Sequence, residues 1–143
     1  MNAKIVVGVD GSDHALRAVE WCAAHAQAFD AEVVVVHAIE VPTYIGFGPP
    51  SIWLMSPTAE QREERRDLVA RDWCKLLANA GVAFRVVLVD GEPGPALMQI
   101  AKTEDAALVI TGRHGRRGIR EWVIGSTSSY LSHHLDRPLV IVP

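Results

Sequence analysis

Near its C-terminal end the chain reads "ALVITGRHGRRGIREWVIGSTSSYLSHHL". Glycines stand at 112, 115, 118 and 125, arginines at 113, 116, 117 and 120, and a hydroxyl pair, Ser126-Thr127, follows the last glycine. Glycine lets a backbone approach a ligand closely and turn with positive φ. The amides of Gly125, Ser126 and Thr127 are expected to open a helix, where free N–H groups and the helix dipole favour an anion. The two hydroxyls and His114 add donors. This is the chemistry of a phosphate cradle. The competing reading is a helix cap, Ser126 or Thr127, behind a solvated loop, and the segment alone leaves both open.

Familiar phosphate patterns do not occur. The glycine-serine pair lacks the lysine of GxxxxGK[ST], and "VDGSDH" stands where GxGxxG would follow a first strand. No GxSxG nucleophile elbow is found. A nucleotide held here would be held by backbone amides, hydroxyls and arginine.

The elements that must position these groups follow from periodicity. "KIVVGVD" is a β-branched run, Ser12 an N-cap, and Leu16, Val19, Ala23 and Ala26 recur at helical spacing. The four valines of "AEVVVVHAI" predict a strand buried on both faces, as in a parallel sheet. Thr58 to about Asn79 reads as one long helix with Leu68, Val69, Trp73, Leu76 and Leu77 on one side, stopped by Gly81. "AFRVVLVD", "AALVIT" and "RPLVIVP" are further strands; "GEPGPALMQIAKTE" is a turn and a short helix with Pro95 at an early helical position, and a last helix runs from about Ser126 to Leu135. Alternating strands and helices imply right-handed crossovers. The expectation is one α/β domain over 1–143, a doubly wound five-stranded parallel sheet of order 3-2-1-4-5. Strands one and four are then neighbours, and Asp10 and Gly112 meet in the crevice at their carboxyl ends.

Bulk properties narrow the classes. A net charge of −3 in 143 residues gives no general attraction for nucleic acid, so the arginine cluster is a local feature. No apolar run approaches the ~20 residues of a membrane helix. The N-terminus leads straight into a strand without signal-peptide regions, so a cytoplasmic location is expected. Cys22 and Cys74 lack metal or redox spacing and read as small buried apolar residues. His133-His134 point about 100° apart on a helix and make a poor metal pair. His37 reads as a satisfied structural histidine, and "REERRD" as a solvated helix face. Segment 40–57 holds four prolines, Tyr44 and Trp53 and no charge between Glu40 and Glu60; a lid, a partner surface or a segment ordered on binding all fit it.

Gly112-x-x-Gly115, nine residues, then Gly125-Ser126 resembles the G-2x-G-9x-G-[ST] signature of the nucleotide-binding branch of the universal stress protein family. "KIVVGVDGSDHALRAVEWC", "VVVVHAI", "VLVDGEP" and "GSTSSYLSHHLDRPLVIVP" are similar to its other segments, in order, over nearly the whole chain. The resemblance implies a usually dimeric protein of five parallel strands, with ATP, or AMP or ADP, over the carboxyl end of the sheet and Mg2+ accompanying the phosphates. Carried over, Val9 and Asp10 end strand one near the nucleoside, and Ala38 meets the adenine edge. Gly112, Arg113, His114 and Gly115 follow ribose and phosphates, and Gly125, Ser126 and Thr127 bind phosphate. Two positions depart from the pattern. Arg113 stands where a small serine is common, and Trp122 is bulky within the nine. The expected role is a nucleotide-gated regulator rather than a catalyst, paired as a homodimer through the apolar strand "PLVIVP". The alternatives are a slow metal-dependent nucleotide hydrolase and a protein-interaction module without nucleotide.

Overall fold

A computed structural model describes residues 3–40, 56–114 and 124–143. Tyr44 and Trp53 of the expected lid, Gly115 and Trp122 lie outside the described residues. The chain runs β1 (Ala3–Gly8), α1 (Asp13–His25) with a 3-10 turn (Ala26–Phe29), β2 (Ala31–Ile39), α2 (Ala59–Leu68), a π-helical stretch (Val69–Trp73), α3 (Lys75–Asn79), β3 (Phe84–Asp90), α4 (Pro93–Thr103), β4 (Leu108–Gly112), α5 (Ser126–His134) and β5 (Leu139–Val142). The strands form one parallel sheet in the order β3-β2-β1-β4-β5, as expected.

The sheet is covered on both faces, and the valine run shows how. Val33 to Val36 are at most 1% exposed. Val33 and Val35 join Ile5, Val7 and Ile110 beneath α1, Val69, Cys74 and Leu77. Val34 and Val36 join Val6 and Val109 beneath Leu97, Ala101 and Leu131. Each such side chain taken from water contributes roughly 1.5–3 kcal/mol. The helices after β1 and β4 therefore cover opposite faces, which opens a crevice between these neighbouring strands at their carboxyl ends.

Helix α1 starts as the sequence predicts: Ser12 Oγ accepts from the amide of Ala15 at 3.2 Å. Its buried face is only partly the expected one, since Val19 and Ala26 are fully buried as predicted and Leu16 is not. Ala15, Ala18, Val19 and Cys22 face the sheet, while Leu16 is 45% exposed. The expected single helix over 58–79 is also interrupted. Five residues apart on a regular helix point about 140° away from each other. Val69 and Cys74 are nonetheless both fully buried in the same cluster. The wider turn, closed by Cys74 N–H to Val69 O at 3.0 Å, brings them into line.

At the amino end of the sheet Glu104 Oε2 accepts from Lys4 Nζ and from Arg85 Nη2, both at 2.6 Å, and Arg85 Nε lies 3.2 Å from Glu32. The Arg85 hydrogen bond, then that from Lys4, holds the Glu104 carboxyl below the usual carboxylate range. Among the described residues no helix is long and apolar enough to cross a membrane.

Burial pushes the thiols of Cys22 and Cys74 each up to about 12. Neither should react with a disulfide-exchange reagent at about pH 8 in the native state, because reaction needs an accessible thiolate. Both should react on unfolding. Rapid native labelling of either would show that the packing of α1 against the π-helical stretch is open.

Candidate functional site

A cleft of about 1200 Å³ lies across the carboxyl end of the sheet. Its floor comes from the ends of β1, β2 and β4, one wall from α2, the other from the starts of α4 and α5. Of the residues expected at the site, Val9, Asp10, Ala38, Gly112, His114, Gly125, Ser126 and Thr127 line this one cleft. Residues about a hundred positions apart are joined because β1 pairs with β4, Val7 opposite Ile110. Arg113 stands beside the cleft rather than in its lining.

The junction after β4 is stitched closely to α5. Arg113 N–H donates to Val142 O at 2.8 Å, and Gly125 N–H donates to Arg113 O at 2.9 Å. Ser128, 1% exposed, donates its hydroxyl to Gly112 O at 2.8 Å. Two expectations change as a result. The Gly125 amide already has a backbone partner, so the donors that α5 leaves without an intrahelical acceptor are those of Ser126, Thr127 and Ser128. Gly125 also has φ −60 and ψ 159, an ordinary extended conformation, and not the left-handed turn expected of it. Gly112 lies in β4 and does not have positive φ either. It is required for another reason: a Cβ there would stand 2.6 Å from the backbone C and O of His14, so its absence lets the first turn of α1 lie against β4.

A chain of contacts also fixes the β1–α1 turn. Asp10 Oδ1 accepts from Ser12 N–H at 2.9 Å and so caps the turn. Gly11 has φ +80, and a Cβ there would meet the Trp73 ring at 2.6 Å. Trp73 packs edge-on against His37, with ring centroids 5.1 Å apart. His37 is buried, its Nδ1 2.9 Å from Val9 O and its Nε2 3.3 Å from Arg65 Nη1. A carbonyl only accepts, so Nδ1 carries the hydrogen and Nε2 offers its lone pair to the guanidinium. His37 is thus the structural histidine expected.

Sequence reading missed the wall opposite. Gln61, Glu64, Arg65 and Leu68 of α2 line the cleft, although "REERRD" reads as solvated. Its other arginines have partners of their own: Arg62 Nη2 lies 2.7 Å from both carboxylate oxygens of Asp90, and Arg66 pairs with Glu63. A polar helix with no fully buried residue gives no periodic signal of the face it presents. The Nδ1 atoms of His133 and His134 lie 2.7 and 2.9 Å from the carbonyls of Ser129 and Tyr130. Among the described residues no group of three His, Cys, Asp or Glu is arranged to hold a metal.

Residues 1–143 match the model of the universal stress protein family over their whole length. The chain belongs to the universal stress protein family. It is 33% identical over 141 residues to a universal stress protein of Thermus aquaticus, covering 96% of each. A universal stress protein solved in complex with cAMP superposes with a TM-score of 0.69 at 25% identity, over 99% of this chain and 96% of that one. One from Archaeoglobus fulgidus in complex with dAMP gives a TM-score of 0.72 at 21% identity over the full length of both, a likeness of fold. Within this family fold the cleft lies at the crevice where doubly wound sheets place their ligands.

Ser128 is the residue on which the β4–α5 junction turns. Ser128→Ala leaves the Gly112 carbonyl with only the longer contact from the Thr111 hydroxyl, at 3.3 Å, and unfolding measurements should show a loss of about 1 kcal/mol. An unchanged denaturation midpoint would mean that the hydroxyl does not hold the junction.

Proposed function

We propose that the cleft binds an adenine nucleotide, with ATP the fullest ligand it takes, and that the protein is a nucleotide-gated regulator of a cytoplasmic stress response. The observation that carries this reading is the joining of Asp10, Ala38, Gly112 and the opening of α5 in one cleft. Val9, Asp10 and Ala38 would meet the nucleoside. Gly112, Arg113, His114 and Gly115 would follow the ribose and phosphates. The donors of Ser126 and Thr127, with Gly125 between them and β4, would take the phosphate charge. Family membership supports this, as does the relative solved with cAMP. Mg2+ would be carried in on the phosphates, where it supplies positive charge, and Asp10 and Glu40 are carboxylates in the cleft lining at the ends of β1 and β2.

Identification of any nucleotide released on denaturing the purified protein, with calorimetric titration of ATP, ADP, AMP and cAMP, tests the proposal. Micromolar binding of at least one is expected. Gly125→Val should keep the fold, since φ −60 and ψ 159 suit valine, and should weaken binding tenfold or more by crowding the mouth of α5. No release and no binding would overturn the reading. Turnover measured with and without magnesium separates a regulator, which should turn over slowly or not at all, from a hydrolase.

The homodimer is proposed on the geometry of β5. It is one of the sheet's two edge strands, and all four of its residues are only half-buried. An apolar edge of this kind is open to pairing, and a two-fold axis would cover it with its own copy. Light scattering at micromolar concentration should give twice the chain mass, and Ile141→Pro, which cannot donate to a ladder, should shift it towards the monomer. A monomeric parent protein would remove the dimer.

A further inference from the structure

We infer that the first turn of α1 completes the phosphate end of the cleft: His14 and Arg17, with His114, form a proton-linked subsite for the terminal phosphates of a nucleoside di- or triphosphate. This deepens the nucleotide reading and rests on it. His114 lines the cleft, while His14 and Arg17 stand beside it, reached through His114 rather than through the lining itself. Its ring lies edge-on to that of His14, with centroids 4.9 Å apart and an interplanar angle of 79°. Arg17 Nη1 is 3.5 Å from His14 Nδ1. The arrangement is held from below, because the missing Cβ of Gly112 seats the His14 backbone directly on β4.

The charge around this pair is one-sided. Asp13 and Arg17 act on His14 from α1, and Arg113 and His114 from the segment after β4. Among the described residues, one carboxylate is set against two guanidinium groups and a second imidazole, on a chain whose overall charge is −3. Desolvation first, then Arg17, His114 and Arg113, lower the pKa of His14 against the opposing pull of Asp13. The edge-to-face contact is comfortable for neutral rings, and two imidazolium ions beside two arginines would repel one another. A dianionic phosphate placed among them reverses the field and favours the protonated form.

The sign of the linkage follows. With no ligand His14 titrates below the ordinary 6.5, and with polyphosphate its pKa rises. Binding therefore takes up protons, and affinity increases as pH falls through the interval between the two values, by at most about tenfold per pH unit for each proton. A monophosphate held at the mouth of α5 has no terminal group to place against α1. The ratio of ATP to AMP affinity, and not affinity in general, carries the effect.

Calorimetric titration of the full chain with ATP and with AMP, at about pH 6 and about pH 8, tests this. The phosphates of both ligands titrate near pH 6, so the comparison of parent with variant isolates the histidine. In the parent the ATP:AMP affinity ratio should rise about fivefold on going to the lower pH. His14→Gln should flatten that change, and Arg17→Gln should lower the ratio at both pH values, with circular dichroism confirming that each variant folds. A pH-dependent ratio in His14→Gln equal to the parent's overturns the subsite. Equal binding of ATP and AMP at both pH values removes the subsite and leaves the nucleotide site standing. Failure of both ligands to bind the parent removes the two together.

Discussion

The carboxyl ends of β1 and β4 lie side by side while the helices that follow them leave to opposite faces. The chain order itself then leaves a crevice that neither helix covers. The rest of the candidate site depends on this reversal. It brings the Asp10 turn within reach of the glycine-rich segment, although about a hundred residues separate them. It also sets the opening of α1 and the opening of α5 on either side of one cleft. The reversal is stabilised from within the sheet, since the central strand β1 and its neighbour β2 are sealed on both faces by side chains that are almost wholly buried. Moving either strand would expose several valines and isoleucines at once, each worth roughly 1.5–3 kcal/mol.

A second layer of constraint acts on the backbone. The carbonyl of Arg113 takes the Gly125 amide, and the carbonyl of Gly112 takes the Ser128 hydroxyl, so β4 and α5 are tied from both sides of the segment between them. This alters what the glycines are for. Gly112 is small because α1 rests on it, and Gly125 ends in an extended conformation open to most residues. Among the described residues the left-handed glycines are Gly11, Gly81 and Gly91, which lie at turns. Gly11 alone of the three has a Cβ-sized gap filled by an aromatic ring, that of Trp73.

Periodicity and spacing made the sheet legible, because burial on two faces leaves an unbroken apolar run and "VVVV" permits little else. The spacing of Gly112 and Gly125-Ser126 placed both on one cleft for the same reason: strand order follows from the alternation of elements. What stayed hidden depends on tertiary contact. Leu16 fits an apolar helical stripe as well as Ala15 does, and only the close approach of α1 to β4, which prefers a small side chain, selects the alanine face. The π-helical turn follows from the need to bury Val69 and Cys74 together, a need invisible until the sheet beneath them exists. Arg65 looks like its neighbours Arg62 and Arg66 in sequence, and differs from them only in having the lone pair of His37 as its partner. Ser128 is one serine among several in "GSTSSYLS", distinguished by the carbonyl it reaches.

The two ends of the sheet are treated differently in charge. At the amino end Lys4, Glu32, Arg85 and Glu104 form ion pairs across β1, β2, β3 and the end of α4, so those charges are consumed internally. At the carboxyl end the cleft is lined by Ser126, Thr127 and His114 at the start of α5 and after β4, and by the carboxylates Asp10, Glu40 and Glu64 across from them. The mild negative charge of the whole chain makes this asymmetry more selective, since it discourages anions elsewhere on the surface. A ligand bound there would touch the turn that Trp73 and His37 brace, and through them the wall formed by α2. Occupancy of the cleft and the packing of α2 thereby share contacts, which is the physical requirement for a regulator whose shape depends on its ligand.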